Sequence, residues 1–156
     1  MDTSVQGVQG KGFMDVAFTE ARVGALAGEV PVGCVIVHEG KVIARANNRT
    51  VADKDPTAHA EMVALREAAK KLRSERLTEC DLYVTLEPCT MCAAAMSFGR
   101  IRRLYYGAVD PKGGAVESGV RFFDQPTCHH KPEIYGGIGE VRSATMLKEF
   151  FATRRR

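Results

Sequence analysis

Two short runs, Pro56-Thr57-Ala58-His59-Ala60-Glu61 and Thr85-Leu86-Glu87-Pro88-Cys89-Thr90-Met91-Cys92, hold the side chains with the most specific chemistry in the chain. Cys89 and Cys92 offer a close pair of thiolates, His59 an imidazole thirty residues upstream, and Glu61 a carboxylate two residues beyond it. Soft sulfur joined to borderline nitrogen suits Zn²⁺. Three protein ligands leave a fourth position open for water, the pattern of catalytic rather than structural zinc, and water bound there ionises near pH ~7. Glu61 can then take a proton and pass it on, a service worth ~10² to 10⁴ in rate.

Two other uses of the cysteine pair compete. A Cys-x-x-Cys can exchange thiol for disulfide, but that leaves His59 and Glu61 without a task. Structural zinc closed by Cys128, His129 or His130 would have no need of Glu61. Five cysteines at irregular spacings are an odd number and argue against a disulfide framework. Cys34 sits in an apolar run and reads as a small buried hydrophobe, and Cys80 and Cys128 read as packing residues.

The elements that position these groups follow from the apolar pattern. Met14, Phe18, Ala21 and Ala25 repeat at helical spacing up to Gly28. Val32 to His38 and Lys41 to Ala46 are strands joined by a tight turn at Glu39-Gly40, the first buried on both faces. A helix runs from Ala58 to about Arg73, with His59 and Glu61 in its first turn. Asp81 to Leu86 is a strand of alternating character ended by Pro88. A third helix, Thr90 to Phe98, carries the cysteines at its start and stops at Gly99. Leu104 to Val109 is a further strand, followed by turn residues Asp110 to Gly114. From 115 to 142 the pattern supports only a short helical segment near Val120 to Phe123 and a short strand near Glu133 to Tyr135. Ser143 is placed to cap a last helix in which Ala144, Leu147 and Phe151 share a face. Gly136-Gly137-Ile138-Gly139 resembles a phosphate loop, but no helix is evident directly after it, so it is set aside.

A hairpin followed by alternating strands and helices predicts an α/β fold with a mixed sheet covered on both faces. Side chains in a helix tilt toward its N-terminus, so the two first turns aim at one point, which also receives two positive helix ends. The 156 residues suit a single domain over 11–156 behind a disordered lead at 1–10. No early stretch resembles the apolar core of a signal peptide, and no apolar run spans a bilayer, so a cytoplasmic protein is expected. A net charge of +3 would not by itself suggest nucleic acid, but Arg100, Arg102 and Arg103 cluster, as do Arg154, Arg155 and Arg156.

The two opening runs resemble the cytidine-deaminase-like superfamily, whose zinc sites carry His-x-Glu and Pro-Cys-x-x-Cys. Val30-Pro31-Val32-Gly33, Asn48-Arg49, Asp55-Pro56-Thr57, Tyr83-Val84-Thr85, Asp110-Pro111-Lys112 and Phe150-Phe151 extend the resemblance, over roughly residues 11 to 156, to the bacterial tRNA-specific adenosine deaminases. Cys128-His129-His130-Lys131 departs from it, since many relatives read more like Asn-His-Arg there. The resemblance implies a three-layer α/β/α sandwich with about five strands, one Zn²⁺ per subunit, a homodimer, and a tRNA anticodon stem-loop as partner. It implies hydrolytic deamination at C6 of a wobble adenosine, with Glu61 relaying a proton first to N1 and then to the departing amino group. Asn48 is then expected to read the purine edge, with Val30 and Leu86 shaping the pocket. Asp110, Lys112, Phe150, Phe151, Arg154 and Arg155 are expected to hold the RNA, although Phe150 and Phe151 also have a packing use. A deaminase of a free base or nucleoside, and a non-catalytic zinc-stabilised RNA-binding module, are the alternatives.

Overall fold

Helix α1, Lys11–Leu26, is followed by the hairpin β1, Gly33–His38, and β2, Lys41–Asn47. Then come α2, Ala60–Leu72; β3, Cys80–Leu86; α3, Thr90–Phe98; and β4, Arg103–Ala108. A single 3₁₀ turn at Phe122–Asp124, the short strand β5, Glu133–Tyr135, and helix α4, Glu140–Arg154, complete the computed structural model, which describes residues 11–154. The lead at 1–10, Arg155 and Arg156 lie outside the described residues.

The sheet has five strands in the order β2-β1-β3-β4-β5. β1 is antiparallel to both β2 and β3, whereas β3, β4 and β5 run parallel, so the sheet is mixed as the element order predicts. Glu39 and Gly40 both have positive φ (51° and 75°), the two-residue turn that matches strand twist. On one face Phe13, Met14, Ala17 and Phe18 of α1 pack with Val35, Val37 and Tyr83, and Met146 of α4 joins them. On the other, Ala60, Ala64 and Ala68 of α2 and Cys92, Ala93 and Met96 of α3 cover Cys34, Ile36, Leu82 and Val84. The result is the three-layer sandwich. Truncating a buried aliphatic such as Leu82 to alanine in such a layer costs ~2 to 5 kcal/mol. Gly33 is required by close approach: a Cβ there would lie 1.8 Å from the Ala17 carbonyl oxygen, so only glycine lets α1 rest on β1.

The structure corrects several boundaries. β3 does not alternate; its residues from Cys80 to Thr85 are all buried. Its polar members tolerate this because they are paired: Asp81 accepts from Arg102 Nε at 2.9 Å and Nη2 at 3.1 Å, and the Thr85 hydroxyl accepts the Gly33 N–H at 3.1 Å. The last helix begins at Glu140, so Ser143 is not its cap but lies inside the first turn, buried, with its hydroxyl donating to the Thr85 carbonyl. That bond turns the helix so that Ser143 and Phe150 face the sheet, while Ala144 and Phe151 are exposed. A helix therefore does follow the Gly136 to Gly139 run. It is still no phosphate loop, because the Gly137 and Ile138 N–H groups are taken by the Gly107 and Tyr106 carbonyls of β4.

Candidate active site

His59 and Cys89 stand one position earlier than the first turns expected for them, as the N-cap residues of α2 and α3. Both have extended backbone, and neither side chain caps its own helix. Both turn instead toward a common point, where His59 Nδ1 lies 3.5 Å from Cys89 Sγ and 3.6 Å from Cys92 Sγ. All three ligand atoms fall within 4.8 Å of one another, and no other such group gathers among the described residues. Tetrahedral zinc with ordinary bond lengths separates a nitrogen ligand from a sulfur ligand by about 3.6 Å. The donor set and its spacing therefore fit zinc. Two helix N-termini point at the same place, which favours the thiolate forms.

The fourth-ligand alternative does not survive. Cys128 Sγ donates to the His130 carbonyl at 3.2 Å and sits 3.6 Å from Ser97 Oγ, and His130 Nε2 pairs with the Ile101 carbonyl at 2.7 Å. This segment staples a loop to the end of α3. Cys34 is fully buried behind the site, where burial and then the nearby Glu61 push its thiol well up, as suits a packing residue.

Hydrogen bonds within the trio decide its protons. The bond with Cys92 and, after burial works against it, the bond with His59 draw the Cys89 thiol down to about 4. Cys92, on the other side of that bond and buried, moves up. The bond to Cys89 holds the His59 ring above its ordinary value. A divalent cation among them makes both sulfurs thiolates. Glu61 is outside the ligand group, in the first turn of α2, and only 4% exposed. Burial pushes its carboxyl up to about 7, against the opposing pull of its own backbone N–H.

A cavity of about 300 Å³ opens on this cluster, with Val30, Asn48, Glu61, Leu86 and Asp110 among its walls. Asn48 performs the capping that His59 does not: its Oδ1 accepts the Ala60 N–H at 2.8 Å, and its Nδ2 donates to the Val30 carbonyl at 3.3 Å. A second cleft of about 510 Å³ shares Val30, Leu86 and Asp110 and continues past Lys112, Leu147, Phe151 and Arg154. Phe150 does not line it. It is buried, meets Phe151 edge-on at 5.4 Å, and carries the Arg154 guanidinium 3.8 Å above its ring.

Two carboxylates that hold the cavity's walls in place had no part in the sequence expectations. Glu29, 2% exposed, accepts the Val51 and Ala52 N–H groups and the Thr50 hydroxyl. Glu87, 3% exposed, does the same for residues 110–118. A signal for them exists. Among all twelve glutamates, only Glu29, Glu61 and Glu87 have no lysine or arginine within four positions, and these three are the buried glutamates of the described residues.

Residues 8–108 match the cytidine and deoxycytidylate deaminase zinc-binding region. The tRNA-specific adenosine deaminase of Agrobacterium fabrum is 62% identical over 143 residues, covering 92% of this chain and 94% of that one. A solved structure from a study of A-to-I editing by tRNA:A34 deaminases at the wobble position of transfer RNA superposes with a TM-score of 0.85. It is 63% identical, over 86% of this chain and 98% of the other. The guanine deaminase of Bacillus subtilis, 35% identical over 91% of each chain, fits less closely, with a TM-score of 0.61. With the metal motif, the sheet order and sequence identity over nearly the full length all in agreement, the chain belongs to the tRNA-specific adenosine deaminase family of the zinc-dependent cytidine and deoxycytidylate deaminases.

Proposed function

We propose that this chain hydrolyses adenosine to inosine at the wobble position of a tRNA anticodon, in the cytoplasm, as a single deaminase domain. The observation that carries the reading is a three-ligand zinc site with a buried, unligated carboxylate beside it, in a chain that shares 62% identity with a tRNA-specific adenosine deaminase. His59, Cys89 and Cys92 hold the metal. Zinc bound there supplies Lewis acidity that makes water nucleophilic near neutral pH.

The protein's own groups do the rest. Glu61 accepts the proton given up by the water and delivers it to N1 of adenine; it then takes the proton of the new C6 hydroxyl and passes it to the amino nitrogen, which leaves as ammonia as the C6 carbonyl forms. Val30 and Leu86 form apolar walls for the extruded base. Asn48, with its amide held by Ala60 and Val30, presents its remaining hydrogen-bonding capacity to the purine edge. Lys112, Phe151 and Arg154 line the adjoining cleft with cations and one ring for the neighbouring nucleotides, with Asp110 at the junction of the two spaces. Phe150 serves from below, holding Phe151 and Arg154. A homodimer is supported by the apolar groove along α2 and α3, where Phe98 is 70% exposed beside Leu65, Leu77 and Ala95.

The test is inosine formation on an anticodon stem-loop with a wobble adenosine, with zinc content measured on the same preparation. One zinc per subunit and inosine at neutral pH are expected. Zinc-loaded protein that leaves the stem-loop unchanged, or turns over free guanine or a free nucleoside instead, overturns the reading.

A further inference from the structure

The loop between β4 and the 3₁₀ turn supplies Asp110 and Gly113 to the cavity and Lys112 to the cleft. It has no regular structure over residues 110–118, and beside the Ala115 N–H bond to the Pro88 carbonyl and the Tyr106 hydroxyl donated to Glu117, one side chain gathers most of its anchors. Glu87 Oε1 accepts the Asp110 N–H at 2.8 Å and the Ser118 hydroxyl at 2.9 Å. Glu87 Oε2 accepts the N–H groups of Val116 at 3.0 Å, Glu117 at 2.9 Å and Ser118 at 2.9 Å. Five donors, four of them backbone, thus converge on one buried carboxylate, which has capacity for about four strong bonds along its lone pairs. Charge-assisted bonds of this kind are among the strong ones.

The loop is shaped to admit that carboxylate. A Cβ on Gly114 would lie 2.3 Å from Glu87 Oε1 and 2.6 Å from the Asp110 carbonyl oxygen, so any other residue there pushes the loop off its anchor. Asp110 then continues the arrangement outward, with Oδ1 accepting the Lys112 N–H at 3.2 Å and the Gly113 N–H at 3.0 Å. The order of dependence runs from β3 to Glu87, from Glu87 to the Asp110 backbone, and from there to the wall shared by cavity and cleft.

We infer that Glu87 is a positioning residue for the RNA substrate: its buried carboxylate sets where Asp110, Lys112 and Gly113 stand, and so sets how tightly the nucleotide and its neighbours are held. The inference rests on the tRNA reading above. It separates Glu87 from Glu61 by kind of effect, since the Glu87 oxygens are taken up by five loop donors and keep no free capacity for a proton in transit.

The experiment is steady-state kinetics on the zinc-loaded full chain with the anticodon stem-loop, comparing wild type, Glu87→Gln and Gly114→Ala. Glu87→Gln keeps the side-chain shape but turns an NH₂ group toward N–H donors, and Gly114→Ala disturbs the same contact from the loop side. Both should raise KM, and the Kd for the stem-loop, about tenfold with zinc content unchanged and kcat nearly retained. A merely structural role would instead lower the folded fraction, so that apparent kcat falls with KM unmoved, and that result overturns the inference. So do variants that match wild type in both constants. If Glu87→Gln does not fold, the Gly114→Ala constants decide on the same criteria. Wild type inactive on the stem-loop overturns the substrate reading and this inference with it; wild type active with both variants unaltered overturns this inference alone.

Discussion

Glu61 and Glu87 line the same cavity, are almost equally buried, and titrate in opposite directions. For Glu61 burial prevails, leaving the carboxyl near neutrality at about 7. For Glu87 burial also pushes upward, but the Asp110, Val116 and Ser118 N–H groups and the Ser118 hydroxyl outweigh it and hold the carboxyl below the usual value. Removal from water alone therefore does not decide what a buried carboxylate does. At Glu87 the fixed donors outweigh burial and make an anion that organises backbone, whereas Glu61, more deeply desolvated and with few donors, keeps a carboxyl that can exchange a proton.

The comparison is tested most severely at the metal, because the donor-poor end of the cavity is built around it. Cys92→Ala removes a fully buried ligand, and the expected outcome is loss of zinc and of all inosine formation, read by metal analysis and a stem-loop assay. A variant that keeps a full equivalent of zinc and turns over would break the assignment of the trio. Next in size is Glu61→Gln. It should keep zinc and fold and lose ~10² to 10⁴ in kcat, with KM little changed, the converse of the pattern expected for Glu87→Gln. Wild-type turnover would remove the distinction between the two glutamates.

Much of this arrangement was legible in sequence because it depends on local pattern. The metal trio follows from residue type and spacing, and the hairpin, the two parallel crossover strands and their helices follow from apolar periodicity. Misplaced features were those set by tertiary bonds. Ser143 looked like a cap because serine favours caps, yet its hydroxyl is used by Thr85 of β3. β3 looked alternating because Asp81 and Thr85 are polar, yet Arg102 and Gly33 pair with them inside. Glu87 lay within the motif and Glu29 beside Val30-Pro31, but nothing in their spacing says that residues 29 and 23 positions away, as at Val116 and Ala52, will donate to them. What the chain does disclose is the lack of a basic residue near each of these glutamates. A carboxylate with no local cation is free to enter the interior, and the interior then supplies backbone N–H groups in place of charge.

Glu29 provides the mildest test, because it is a Glu87-type anchor on the opposite wall. Its Oε2 accepts the Ala52 N–H at 2.8 Å and the Val51 N–H at 3.1 Å, and its Oε1 takes the Thr50 hydroxyl at 3.3 Å. Of the residues it holds, Thr50 alone reaches the cavity, so less of the substrate surface depends on it. Glu29→Gln turns an amide NH₂ toward at least one backbone N–H, a mismatch costing ~1 to 3 kcal/mol. Urea denaturation of the zinc-loaded protein should show that loss as a lower midpoint with an unchanged slope. Kinetics on the stem-loop should show a KM rise smaller than that of Glu87→Gln and an unchanged kcat. A fall in kcat comparable to that of Glu61→Gln would place Glu29 with the proton-handling group, and the distinction between anchoring and proton-handling glutamates would be lost.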